Sequence, residues 1–272
     1  MKIHPSDKVK MLQFPVLSGD CNISHFVTTR RGGVSTGNYA SFNLGEYGGD
    51  NWDCIRMNRE LLAEAIGISS AYIFAPCQVH GCEIRSLTSS FQALSPEEQK
   101  AFLQGVDALV TDVPGVCVAV TTADCVPVLV YAPDKKVVAA VHAGWRGTAL
   151  RIAAKTVRFM AEKYGVDPSF MLAGIAPSIG PDAFEVGEEV VEAFREAGMD
   201  LSVVMNRNVI TGKAHIDLWE ANRLQLLEAG LDSCHIEVSG ICTFMQHDEF
   251  FSARRLGIHS GRILSGIVVV KN

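Results

Sequence analysis

The chain has 272 residues, a formal net charge of −6 and 48% hydrophobic residues. That length can bury a substantial core, while the acidic balance lacks the clustered Lys and Arg that a nucleic-acid backbone demands. No run approaches the roughly 18 apolar residues of a membrane span. With no apolar leader at 1–10 and eight cysteines that form no C-x2-C pair, the expectation is a single domain over 1–272 in the cytoplasm, with reduced thiols. Its partners would be small molecules, with neither nucleic acid nor membrane among them, and its oligomeric state is left open.

In chain order, the first polar feature is 29–35, where Arg30 and Arg31 precede Gly32-Gly33. A diglycine lets backbone N–H groups turn inward as an anion nest, so Arg31 is a candidate phosphate ligand, with a solvated hairpin turn as the equal alternative. Ser41 and Asn43, in 41–45, offer neutral hydrogen-bonding groups. Residues 51–66 carry Ile55, Leu62, Ala65 and Ile66 at helical spacing, interrupted by Asn58. Strands are expected at 71–74, 108–111, 116–120, 126–131 and 137–141, from short β-branched runs. A helix capped by Thr148 should follow, buried through Leu150, Ala154, Val157 and Ala161. Further strands are expected at 171–175, 236–239 and 264–270, and helices at 187–197 and from Asp217. The order fits an α+β protein with mixed sheets.

Three possible metal ligands sit in glycine-rich polar segments at these strand ends: His80 in Gln78-Val79-His80-Gly81, Cys125 in Ala123-Asp124-Cys125-Val126-Pro127, and His142 in His142-Ala143-Gly144-Trp145-Arg146-Gly147. Two imidazoles and a thiolate fill three corners of a zinc tetrahedron and leave the fourth for substrate or water, as catalytic sites do. Strands at 126–131 and 137–141 would bring Cys125 and His142 to neighbouring strand ends. Asp124 is a candidate proton shuttle beside them. Arg146, Arg254 and Arg255 join Arg31 as candidate anion ligands, and Cys21, Cys54, Cys117 and Cys234 read as small hydrophobes.

Taken together, R-G-G-V-S at 31–35, S-x-N-L-G at 41–45, Q-V-H-G at 78–81, T-A-D-C-V-P-V-L at 122–129, H-A-G-W-R-G at 142–147 and S-I-G-P at 178–181 resemble the YfiH/LACC1 family, whose members are also named polyphenol oxidoreductase laccase or peptidoglycan editing factor. The resemblance implies two mixed β-sheets flanked by helices (α/β/β/α layers, CNF1/YfiH-like). It implies zinc on His80, Cys125 and His142, with copper possible. The implied activity is purine nucleoside phosphorylase on adenosine, inosine and S-methyl-5′-thioadenosine, with adenosine deamination beside it. Nucleoside and phosphate would be the partners. Where relatives often read F-S-Y-R-R-D-G, this chain has Ala253 and Leu256, which touches the substrate contacts. Three other functions fit the donor set: a Cys125–His142 hydrolase acting on a cell-wall or other amide, a copper-dependent phenol oxidase, and a non-enzymatic zinc-containing nucleoside binder.

Overall fold

A computed structural model describes residues 1–4, 8–46 and 48–271. Two six-stranded mixed sheets dominate it. The first has the spatial order Lys2–Ile3, Met11–Gln13, Ile23–Thr28, Ile263–Val269, Cys117–Thr122, Ile73–Phe74; the second runs Ile236–Val238, Leu172–Ile175, Val126–Ala132, Val137–Ala143, Ala108–Thr111, Ile84–Ser86. Most neighbours are antiparallel. The strand Ile73–Phe74 is parallel to Cys117–Thr122, and Ile84–Ser86 is parallel to Ala108–Thr111.

Period-two side-chain alternation assigns each strand residue to a layer. Val118 and Val120 of the first sheet meet Leu129, Tyr131, Val138 and Ala140 of the second, forming a core between the sheets. Their neighbours along the same strands point away. Cys117 and Ala119 pack with Leu62 and Ala63 of the helix Trp52–Ile66. On the far face of the second sheet, Val126, Val128, Val130, Val137, Ala139 and Val141 pack with Ile152, Val157, Val190 and Ala221 from the helices Ile152–Tyr164, Glu188–Glu196 and Leu218–Glu228. The order is therefore helix, sheet, sheet, helices, the α/β/β/α layering expected. Each fully buried Val or Leu in these layers contributes roughly 1.5–3 kcal/mol of transfer free energy.

Local sequence explains the helix ends. Asn51 accepts from Asp53 N to cap Trp52–Ile66, which stops at Gly67 in the left-handed region (φ 70°). Asp217 caps Leu218–Glu228 by accepting from Glu220 N. Thr148 does not cap a helix. It lies inside a short helix Trp145–Ala149 that starts at Gly144, and the longer helix begins only at Ile152, after Arg151 breaks the path at φ 63°. Asn58, the polar break in an apolar stripe, is fully buried because it serves loops: its Oδ1 accepts from Val34 N and its Nδ2 donates to Ser35 Oγ and to the Asn43 carbonyl. Among the thiols, Cys117 is buried as expected and Cys54 is half-buried, but Cys21 and Cys234 are exposed. No helix among the described residues is long and apolar enough to cross a membrane.

Candidate metal site and its cavity

The chain crosses from one sheet to the other in two places that meet. Residues 123–125 link Cys117–Thr122 of the first sheet to Val126–Ala132 of the second; residues 75–83 link Ile73–Phe74 to Ile84–Ser86. Both crossings contain a non-glycine residue in the left-handed region, Asp124 (φ 89°) in the first and His80 (φ 62°) in the second. Such conformations persist where the surroundings over-determine them, and functional sites are where they cluster. His142 pairs with Pro127, and Ala143 with Val126, so Cys125 and His142 leave adjacent strand ends.

His80, Cys125 and His142 each offer one donor atom, and these atoms all lie within 4.8 Å of one another. The imidazole centroids are 4.8 Å apart with planes at 78°. Gly144 closes the back of the cluster. A Cβ there would stand 2.9 Å from His80 Cδ2 and 3.2 Å from Cys125 Sγ, so only glycine leaves the donors their space. The three can hold one metal ion.

Asp107, fully buried ahead of the strand Ala108–Thr111, fixes both imidazole carriers. Its Oδ1 accepts from His80 N at 3.0 Å and pairs with His142 Nδ1 at 2.8 Å; its Oδ2 accepts from Gly81 N at 2.7 Å. With Nδ1–H donated to the carboxylate, His142 presents Nε2 to the cluster, the arrangement that orients histidine ligands and strengthens their basicity. Gln78 ties the other side: its Nε2 donates to the Thr121 carbonyl at 2.8 Å while its Oε1 accepts from Thr121 N at 2.8 Å, so its amide extends the strand edge and seats the His80 crossing beside Cys125.

Charge favours the thiolate. Burial pushes the Cys125 pKa up, but His142 and His80 outweigh it and bring it down to about 6. Burial alone would lower His142, yet the Cys125 charge and the Asp107 hydrogen bond raise it to about 9. Burial raises Asp107, and the His142 hydrogen bond and charge more than offset this, so its carboxylate stays below the usual range. A soft thiolate with two imidazoles suits zinc or copper.

The donors open into a cavity of about 650 Å³. Its lining combines apolar Ile179, Phe184, Ala253 and Ile258 with polar Glu46, Gln78, Thr121, Thr122, Arg254 and Arg262. Residues 24–270 match the family model described as multi-copper polyphenol oxidoreductase laccase. The chain belongs to that family. It is 48% identical over 262 residues to a purine nucleoside phosphorylase of Bacteroides thetaiotaomicron, covering 96% of this chain and 97% of the relative. It is 44% identical to adenosine deaminase RL5 of an unknown prokaryote, with 88% and 92% covered. The crystal structure of YlmD from Geobacillus stearothermophilus matches with a TM-score of 0.87 at 34% identity, covering 97% of both chains.

Within this laccase-family fold the other expected site residues fall in different places. Arg254 lines the cavity; its Nη1 donates to the Glu185 carbonyl at 3.1 Å and its guanidinium lies 5.5 Å from the Phe184 ring centroid. Arg255 is exposed and sits over Phe244 instead. Arg146 is exposed too, 4.1 Å from the Trp145 ring centroid and outside the cavity lining. In the Arg-Gly-Gly turn, expected as an anion nest, the amides have partners within the chain: Gly33 N donates to Ser41 Oγ, Val34 N to Asn58 Oδ1 and Ser35 N to the Ser41 carbonyl. Arg31 is half-exposed and faces Glu249 at 3.7 Å. Ser41 and Asn43 thus hold loops together and do not line the cavity. Asp124 lines it, but both carboxylate oxygens are engaged, Oδ1 by Thr243 Oγ1 at 2.7 Å and Oδ2 by Arg254 N at 2.6 Å. These bonds brace the Cys125 turn against the segments bearing Thr243 and Arg254.

Asp107 and Arg262 escaped the sequence. For Asp107 a signal existed: a carboxylate between Val106 and Ala108, leading into a buried strand, is too costly without a partner. Nothing local to Gly261-Arg262-Ile263 marks Arg262.

Proposed function

We propose that this chain is a zinc-dependent purine nucleoside phosphorylase acting on adenosine, inosine and S-methyl-5′-thioadenosine, with adenosine deamination at the same site. The observation that carries this is three converging donors, braced by Asp107, in a cavity lined by apolar side chains, hydrogen-bonding groups and two arginines, Arg254 and Arg262. The names of the relatives, purine nucleoside phosphorylase and adenosine deaminase, support the same substrate class. A cavity of about 650 Å³ lies within the few hundred to about 1,000 Å³ usual for small-molecule sites.

His80, Cys125 and His142 would hold the ion, which supplies Lewis acidity for activating water or polarising a purine near neutral pH. The chain's own groups do the rest. Asp107 fixes the His142 tautomer, Gln78 and Asp107 hold the His80 crossing, and Asp124 braces the Cys125 turn against the segment bearing Arg254. Ile179, Phe184 and Ile258 offer the planar base an apolar surface. In phosphorolysis the bond from the anomeric carbon to the purine nitrogen breaks, with its electron pair leaving on the base, which takes up a proton. A phosphate oxygen bonds to that carbon, and the products are free base and sugar 1-phosphate. Stabilising the charge that develops on phosphate and base is what such a cavity contributes.

Redox chemistry of several coppers needs several donor clusters, and among the described residues a single group of three or more His, Cys, Asp or Glu donors converges. A Cys125–His142 nucleophile leaves the second imidazole, His80, without a purpose. The test is incubation of zinc-loaded protein with the three nucleosides, with and without phosphate. Phosphate-dependent release of free base supports the proposal. Phosphate-independent release, or none, would overturn it.

A further inference from the structure

The cavity wall holds a guanidinium with no ion-pair partner among the described residues. Arg262 lines the cavity, and among the described residues no carboxylate lies within ion-pairing distance of it. Burial lowers its pKa while the charges of Cys125 and Asp124 favour the cation, and His80, Cys125 and His142 line the same cavity. Its far end is caged by carbonyls: Nη1 donates to Ser260 O at 2.6 Å and Gly261 O at 2.9 Å, and Nη2 to Ile258 O at 3.0 Å. Nε–H has no acceptor among the described residues. Nε–H and the adjacent Nη2–H form the edge with which a guanidinium grips an oxyanion bidentately, and the cage fixes that edge in place. With carbonyls on its far end and no carboxylate within ion-pairing distance, the guanidinium keeps its Nε side for an anion.

The S-x-N-L-G segment, which does not line the cavity through Ser41 or Asn43, is built around this arginine. Asn43, fully buried, accepts from Arg262 N at 2.8 Å and from Gly45 N at 3.0 Å through Oδ1. Gly45 leaves room for the Arg262 stem, since a Cβ there would lie 2.6 Å from Arg262 Cγ. Arg254, also without a carboxylate partner among the described residues, lines the same cavity.

We infer that Arg262 holds the inorganic phosphate of the reaction, through its Nε and Nη2 edge, and that the S-x-N-L-G segment exists to present it. The inference rests on the phosphorolytic reading above and moves the phosphate from the Arg-Gly-Gly turn to the cavity wall. The experiment is calorimetric titration of metal-loaded protein with inorganic phosphate, for the native chain, Arg262→Gln and Arg262→Lys, with metal content measured for each. Arg262→Gln should weaken phosphate binding about tenfold to a hundredfold, with the metal retained and the KM for phosphate raised more than that for nucleoside. Arg262→Lys keeps the charge and loses the fork, so a loss of about threefold to tenfold is expected, and this variant serves if the glutamine chain does not fold. Because the titration needs no turnover, the two ideas fail separately. Equal phosphate affinity in native and variant proteins would overturn Arg262 and leave phosphorolysis standing. Arg262-dependent phosphate binding without release of base would do the reverse. Loss of metal together with phosphate would make Arg262 structural and overturn the assignment.

Discussion

Gly144→Ala isolates the donor cluster from the fold. Gly144 has φ −65° and ψ 170°, which alanine adopts without strain, so backbone cost is removed from the comparison. The added methyl would stand 2.9 Å from His80 Cδ2, 3.2 Å from Cys125 Sγ and 3.8 Å from His142 Cε1. Carbon atoms settle about 3.5–4.0 Å apart, so the His80 ring must retreat by roughly 0.6–1 Å, while metal–ligand distances tolerate about 0.2 Å. His80 is exposed and sits in a loop, whereas Cys125 and His142 are anchored at strand ends, so the displacement falls on His80. Overpacking of this kind costs about 1–3 kcal/mol, which at 1.4 kcal/mol per decade is about fivefold to 150-fold in metal affinity. Competition with a chromophoric chelator measures it, and thermal unfolding of the metal-stripped chain should change little. Metal affinity equal to the native value would refute the steric reasoning, as would a collapse of the stripped fold.

Asp107→Asn keeps the shape but turns an NH2 toward either the His80 and His142 donors or the Gly81 N–H; metal affinity should fall about tenfold to a hundredfold in the same chelator assay. Cys125→Ser should lose activity chiefly through lost metal, visible by elemental analysis, since a hydroxyl is a poor ligand; full occupancy without turnover would favour a nucleophilic cysteine. Arg31→Ala should leave the KM for phosphate within about twofold, because an exposed arginine 3.7 Å from Glu249 contributes little; a tenfold rise would restore the Arg-Gly-Gly turn as the phosphate site. Burial, with the charges of His4 and Lys2, lowers His25 to about 4, and Phe14 N donates to its Nε2. The unfolded chain therefore binds more protons between pH 6.5 and 4. Stability from this group is complete above about 6.5 and is lost as pH falls, by about 2 kcal/mol at pH 5. Denaturant titrations of His25→Gln and native protein at pH 8 and pH 5 check it, the variant showing the smaller decline.

What was legible depended on the range of the interactions involved. The β-branched runs around Cys125 and before His142 announced buried strands, and the pairing of Val126 with Ala143 follows from two such strands separated by a short turn. His80 could be nominated because its neighbours are polar and glycine-rich, but the crossing that carries it to the cluster depends on the contacts of His80 with Asp107 and of Gln78 with Thr121, which span 27 and 43 positions. In the Arg-Gly-Gly turn, an inward-turned amide looks alike in sequence whether it meets an anion or, as for Gly33 and Val34, Ser41 and Asn58. Thr148 misled, being a good capping residue whose hydroxyl is instead an acceptor for Asn222 Nδ2. Nothing local marks Arg262, because having no carboxylate partner among the described residues is a property of three-dimensional surroundings.

The most direct measurement is phosphorus NMR of zinc-loaded protein mixed with inosine and inorganic phosphate. The account predicts that the phosphate resonance declines as a sugar 1-phosphate resonance grows in equal amount, with hypoxanthine released in step. An unchanged phosphate signal while inosine is consumed would contradict it.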